Sequence, residues 1–598
     1  MAGIFARRRP VRQAVPVVLV LAAAAWGPCA PAVGAAPVRA ASDPGLQSYV
    51  IGRIAAAERD HETAVRAFAS ALRDSPADVS VRRRAFDAAM LVGDRDASVR
   101  LARALLDSDD RAGAPGARLA TFADTLPAMV LMAEAAARRD WRTYERARAR
   151  FSDPFGAGSG PPIMATILEA HGLAGRGQHD AALALLAADE GLPRLTRSYF
   201  AEHRAHVLAL ARRWPQAAAA YAALLDGEAA ASRLRVAAAA AALEAAAGEG
   251  AWRARAIATL GAGPPDDPLL ADARARLVAS PKLEGRRLGG LPGSAADAVA
   301  LLFVRLAADL VRERNPAPAG AFARLASFAA PAMPEAWLVA AETLVRQEQP
   351  ALALAALERI PAGTPLAAHA AWRRAIILSG EGRHEEARAA LEPSVAAGTA
   401  TLAEWQRLAE IERAAGNHAG AVRALDRAIA LIEGEPGAEH ATLFFLRGAS
   451  HEQAGSFDAA EPDLRRALAL QPANAIILNY LGYSLLDRGL KLDEAEALIA
   501  RAFAAEPENG AIIDSMGWAA FRRGRYEEAV ALLEKARAAE PSDPTVADHL
   551  GDALWRVGRR IEARHAWNAA RALDPPAALA EKLDAKLRYG LDAALALR

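Results

Sequence analysis

Asp514-Ser515-Met516-Gly517-Trp518 opens a stretch in which small and bulky residues fall at fixed steps. Twelve residues after Gly517 comes Ala529, and Leu533, Ala536 and Pro541 follow at steps of four, three and five. From Gly551 the same steps land on Ala563, Trp567, Ala570 and Pro575, and from Gly448 on Ala460, Leu464, Ala467 and Pro472. Gly517 and Gly551 lie 34 residues apart, as do Gly448 and Gly482. The unit opened by Gly482 is one residue longer (Ala495, Ile499, Ala502, Pro507), because Gly489-Leu490-Lys491-Leu492 lengthens its turn.

The spacing has a direct physical reading. A first helix needs a small residue where a second helix crosses it, hence the four glycines. A turn follows, with Gly455, Gly524 and Gly558 at the helix end, where a left-handed backbone costs glycine little. The second helix sets a small alanine against its partner and a large side chain one turn later. The closing proline cannot continue a helix, so it ends one unit before the next. Each pair leaves an apolar face that only its neighbours can cover, which predicts an array rather than a globule.

These residues resemble the tetratricopeptide repeat family, a 34-residue helix-turn-helix with this set of small, bulky and proline positions. The resemblance implies an all-α, right-handed solenoid. It reaches the other end of the chain, where Gly52, Ala64, Phe68, Ala71 and Pro76 repeat the steps. Between the ends it weakens but persists. Ala205, Ala217, Tyr221 and Leu224 form one unit, and Ala307, Ala319, Ala323, Ala326 and Pro331 another. Ala341, Ala353 and Leu357 follow, then Ala375, Ala387 and Leu391, then Ala409, Ala421, Leu425 and Ala428.

Irregular spacers at Ser152 to Pro162, Gly261 to Pro268 and Pro281 to Gly293 break the register. The expected organisation is a divergent array over 48–280, a linker at 281–293 joining two arcs, and repeat-like units over 294–432. Four well-matched repeats over 440–576 and a capping helix over 577–598 complete it.

Composition agrees with helices. Apolar residues make up 53% of the 598, yet only 6% are aromatic, so the excess is largely alanine, the best helix former. Lys and Arg number 72 against 71 Asp and Glu, a formal net charge of +1. That balance, with signs interspersed as in Arg383-His384-Glu385-Glu386-Ala387-Arg388, argues against a nucleic-acid partner.

At the N-terminus, Arg7, Arg8, Arg9 and Arg12 precede the apolar run Ala14 to Ala25. Small residues follow, and Val33-Gly34-Ala35 suits cleavage before Ala36, so 1–35 reads as a secretory signal peptide and 36–47 as a disordered start. The run is shorter than the roughly 20 residues that span a bilayer, and no transmembrane segment is expected after signal removal. An uncleaved anchor is the alternative. Cys29 is the single cysteine, so no intramolecular disulfide forms. Lipidation at Cys29 is disfavoured by Trp26 and Pro28, which fit a lipobox poorly. The expected address is the periplasm or the outer membrane.

In the tetratricopeptide family the first helix of each pair lines the concave surface. Carried onto the last units, that face holds Asn479, Tyr480, Tyr483, Asp514, Ser515, Trp518, Phe521 and Arg522, then Asp548, His549, Asp552, Trp555 and Arg556. Aromatics interleaved with Arg and Asp suit a peptide-binding groove, since rings supply contact area and Arg can fork onto a carboxylate. The alternative is that several of them pack between neighbouring helices.

No catalytic, cofactor or metal site is expected. No strand-borne phosphate loop exists. The twelve histidines are scattered, and His171, His179, His203 and His206 are expected on the surface, without a zincin motif. Acidic pairs such as Asp109-Asp110 and Glu527-Glu528 suit helix ends and solvent faces.

The expected role is thus an exported, non-enzymatic scaffold that binds protein or peptide partners, with oligomeric state left open. Leu478-Asn479-Tyr480-Leu481-Gly482-Tyr483 and His549-Leu550-Gly551-Asp552-Ala553-Leu554-Trp555 resemble large proteobacterial envelope proteins of this repeat family. That group includes lipoprotein adaptors that present cell-wall hydrolases to carboxyl-terminal processing proteases. The alternative is a periplasmic subunit of a polysaccharide synthesis or export assembly.

Overall fold

The structure is a computed structural model, and it describes residues 44–596 apart from 112–121, 152–161, 188–190, 226–230, 246–249, 265–266 and 281. The signal peptide, Cys29 and most of the first spacer lie outside these residues. The first helix, Pro44–Ala57, begins inside the stretch expected to be disordered. Every described element is a helix: thirty-two α-helices and one short 3-10 turn, arranged as consecutive antiparallel pairs in an α-solenoid.

The repeat positions do what their sizes imply. Ala529, Leu533 and Ala536 are wholly buried, as are Ala563, Trp567 and Ala570. A Cβ on Gly517 would come 2.7 Å from Leu533, one on Gly482 2.8 Å from Ile499, and one on Gly52 2.8 Å from Phe68. The glycine and the bulky residue sixteen or seventeen positions later are therefore a lock between the two helices of a pair. In the weaker middle units, Ala205, Ala217, Tyr221, Ala319, Ala353, Ala387 and Leu391 are equally buried.

A second regularity starts each pair. Two residues after the closing proline stands Asn474, Asn509, Asp543 or Asp78, and each caps a helix. The Asp543 carboxylate accepts from the Thr545 amide at 2.7 Å, which satisfies a donor the helix cannot.

Contacts group the described chain into two units that meet between Leu391 and Glu392 rather than at 281–293. The expected linker is packed instead. Its short helix Gly285–Leu288 buries Leu288 among Val236, Ala239 and Leu277, and a Cβ on Gly290 would come 2.7 Å from the Ala237 backbone.

In the N-terminal unit, the chain after the linker folds back onto the array. Helices Ala295–Arg312 and Pro316–Ala329 lie across Val79–Val92, Phe122–Ala137, Ile163–Gly175 and Arg194–Leu210, the first helices of four pairs. Phe122 and Phe322 meet at 5.2 Å between ring centroids, and Arg324 donates to the Leu91 carbonyl at 2.8 Å. Helix Phe122–Ala137, covered on all sides, is buried from Thr125 to Ala136, which explains its apolar run from Leu126 to Ala133, and the one buried carboxylate, Glu134, pairs with Arg95 and Arg138.

The C-terminal unit runs from Glu392 onward. Its first helices Ala441–Gln453, Ala475–Asp487, Gly510–Arg522 and Pro544–Arg556 follow one another, and Ala577–Tyr589 closes the end against Arg560–Ala572. No described helix is long and apolar enough to cross a membrane.

Candidate functional site

The first helices of the C-terminal unit bring a band of aromatic and acidic side chains together. On Gly510–Arg522, residues Asp514, Trp518 and Phe521 share one face because they are spaced four and three apart. Pro544–Arg556 presents Asp548, His549, Asp552 and Trp555 in the same way. Phe521 stacks on Trp518 at 4.6 Å with 7° between the planes, and Trp518 stacks on His549 at 4.0 Å and 12°. Tyr483, on the first helix of the preceding repeat, lies 6.5 Å from the His549 ring. Tyr483, Trp518, Phe521 and Arg522 all keep part of their surface open.

Under this stack runs a chain of ionisable groups. His549 Nδ1 lies 3.0 Å from both oxygens of Asp514. Burial pulls the imidazole pKa down, but the carboxylates of Asp514, Asp548 and Asp552 together outweigh it and the net shift is upward. The Lys586 ammonium, from the capping helix, donates to Asp548 at 2.6 Å and to Asp552 at 2.8 Å, and Trp567 Nε1 donates to Asp552 at 3.0 Å. Burial and then repulsion from Asp548 raise the Asp552 pKa to about 6, with Lys586 pulling the other way. The Tyr483 hydroxyl is also pushed up, by burial and then by the carboxylates of Asp514, Asp487, Asp543 and Asp548.

The expected groove residues therefore divide. Asn479 and Tyr480 lie between helices, with Tyr480 edge-on to Phe445 at 5.2 Å. Asp514, Ser515, Asp548, His549 and Asp552 are buried, His549 as the innermost ring of the stack. Trp555 and Arg556 are held by the chain's own C-terminus: the indole donates to Asp592 at 3.0 Å and the guanidinium to the other oxygen at 2.6 Å. Lys586 and Asp592 were not anticipated, since nothing in an isolated capping helix says which side chain faces the last repeat.

The histidines correct the sequence reading. His171, His203 and His206 are fully buried in the N-terminal unit, not on the surface. His171 Nε2 and His203 Nδ1 share a hydrogen bond of 2.9 Å, and His206 Nδ1 meets the Tyr221 hydroxyl at 2.6 Å. Burial, reinforced by the neighbouring His206, lowers the His171 pKa to about 3, and those of His203 and His206 fall as well, so all three are neutral. Spacing misled because His171 belongs to an earlier first helix, which stacks beside that of His203 and His206.

Glu202, next to them, accepts from Arg233 at 2.5 Å and Arg305 at 2.6 Å. Burial acts to raise its pKa, but the His206 hydrogen bond and the two arginines hold it well below the usual range. Arg305 also covers the Tyr199 ring at 3.8 Å, tying helix Ala295–Arg312 to the array. Among the described residues, no group of three or more His, Cys, Asp or Glu side chains is placed to hold a metal ion.

Residues 413–573 match a family model described as tetratricopeptide repeat. No curated protein matches the chain. Among solved structures, the Cut9–Hcn1 hetero-tetramer of the APC/C is similar at 15% identity and a TM-score of 0.35, covering 92% of this chain and 96% of that one. A tetratricopeptide repeat protein from Parabacteroides merdae is 16% identical with a TM-score of 0.35, over 48% of this chain and 98% of that one. MamA from AMB-1 is 23% identical with a TM-score of 0.24, over 28% and 97%. The stretch that carries the aromatic stack and its carboxylates is thus an array of tetratricopeptide repeats.

Proposed function

We propose that the chain is an exported, non-enzymatic scaffold that holds a protein or peptide segment on the first-helix face of its C-terminal unit. The observation that carries this reading is the part-open stack of Phe521, Trp518 and His549, with Tyr483 beside it. Rigid rings set side by side give contact area at little entropic cost, and hot spots of binding are rich in Trp and Tyr. Interior packing alone would leave no reason to keep Tyr483, Trp518 and Phe521 within reach of solvent. Export rests on the basic, apolar and small-residue order of residues 7 to 35. Presentation of substrates to an envelope protease rests on the resemblance of the last repeats to the adaptor group.

The test replaces Tyr483 and Trp518 together by Ala in the full chain. Partners captured from the cell envelope by the native chain are expected to be lost by the variant, with the melting temperature of the C-terminal unit changed by only a few degrees. Equal capture by both proteins removes the stack from the binding surface. N-terminal sequencing of the secreted or periplasmic protein checks the export reading, with Ala36 the expected first residue.

A further inference from the structure

The charge around Tyr483 narrows what the face can hold, on the reading just given. Five carboxylates act on the rings: Asp487, four residues from Tyr483 on the same helix, with Asp514 and Asp543 also felt by Tyr483, and Asp548 and Asp552 felt by His549. Three side chains contact the residues that carry them. His549 serves Asp514, Lys586 serves Asp548 and Asp552, and Arg522 donates to the backbone carbonyl of Asp487 at 3.2 Å. The Asp543 carboxylate faces its own helix N-terminus and Asp487 is exposed, and neither forms an ion pair. The face carries an excess of negative charge against the rings, where a cation gains from both.

Two further observations point the same way. Lys586 shows that this row of carboxylates accepts an alkyl ammonium from a helix laid against it, at 2.6 to 2.8 Å. The Trp518 indole N–H is shielded from solvent and has no acceptor. A carbonyl of a bound segment would supply the acceptor this group lacks.

We propose that the Tyr483–Trp518 face takes a peptide segment bearing a lysine or arginine, whose stem lies on the rings and whose charged head sits beside Asp487. A main-chain carbonyl of the same segment accepts from Trp518. An acidic segment would meet like charge here and is excluded from the face.

A random-sequence peptide display library panned on the full chain tests this. Recovered peptides are expected to be enriched in Lys and Arg over the starting pool. Their binding is expected to weaken roughly two- to fivefold in Asp487→Asn, as for one part-exposed charge pair, and to weaken further in salt. It should fall at least tenfold in Tyr483→Ala/Trp518→Ala. Peptides that lose binding in the double variant yet are acidic or uncharged overturn the cation preference alone. Peptides that bind the double variant as well as the native chain overturn the face itself, and so does the recovery of no binder. Circular dichroism melts of each variant separate loss of binding from loss of fold.

Discussion

Arg212 closes the turn between helices Arg194–Leu210 and Trp214–Ala223 with φ of +55°, where Gly524 and Gly558 stand in the C-terminal repeats. Arg59, Arg139, Arg314 and Glu348 hold the same left-handed conformation. A side chain there costs roughly 1–2 kcal/mol that glycine does not incur, partly offset by the greater freedom of glycine in the unfolded chain. Arg212→Gly is therefore expected to stabilise the N-terminal unit by about 0.5–1 kcal/mol, read as a shift in denaturant midpoint without a change in slope. A destabilised variant would mean that the exposed Arg212 side chain makes a contribution its surroundings do not suggest. The same substitution explains why the middle of the chain is harder to read. The turn is retained, but the glycine that advertises it is gone, and only the alanine spacing survives.

At the scale of an element, the capping helix Ala577–Tyr589 does more than cover an apolar end. Leu583 is fully buried, and the Lys586 ammonium is shared between Asp548 and Asp552 inside the array. Removing one partner from a buried ionic group leaves the others uncompensated, at about 3–5 kcal/mol. Lys586→Met is expected to destabilise the C-terminal unit by that order, while Lys582→Met, at an exposed position four residues earlier, changes it by less than about 0.5 kcal/mol. Equal melts for the two variants would show that the ammonium is dispensable. The start of the cap was legible because Pro575 and Pro576 precede a run with alanine and leucine at helical spacing, but the expected single helix over 577–598 is broken at Gly590, after which Leu591–Ala596 is a separate helix. The ionic role of the cap was not legible, because Asp548, Asp552 and Lys586 come together only when three helices are stacked. Pair packing is local, encoded within 34 residues, and so was readable. The return of Ala295–Arg312 across four earlier first helices depends on the path of the whole N-terminal unit, and the alanine spacing of that segment looks like any other repeat.

For the whole molecule, the two units put their first-helix faces to different uses, and their buried charges respond to acid in opposite directions. The N-terminal face is covered by the chain's own helices, whereas the C-terminal stack keeps Tyr483, Trp518 and Phe521 part-open. In the N-terminal unit, His171, His203 and His206 have folded pKa values below their unfolded value near 6.5. The unfolded chain then binds more protons, so stability is present above pH 6.5 and is lost as pH falls below it. Each histidine contributes at most about 1.4 kcal/mol per pH unit. In the C-terminal unit the signs reverse. Asp552 is raised from 3.8 to about 6 and His549 is raised above 6.5, so the folded state binds more protons. The stability these two groups contribute is fully present at low pH and declines as pH rises through 4 to 6 for Asp552, and above 6.5 for His549. Lowering the pH from 7 to 5 should therefore loosen the first unit and tighten the second. Hydrogen exchange by mass spectrometry, corrected for the intrinsic pH dependence of exchange, reads each separately. Peptides from 163–221 should lose protection and those from 544–589 gain it. Parallel changes in both would contradict the opposite placement of their protons, and His549→Gln should remove part of the gain in the C-terminal unit while leaving the loss in the N-terminal unit unchanged.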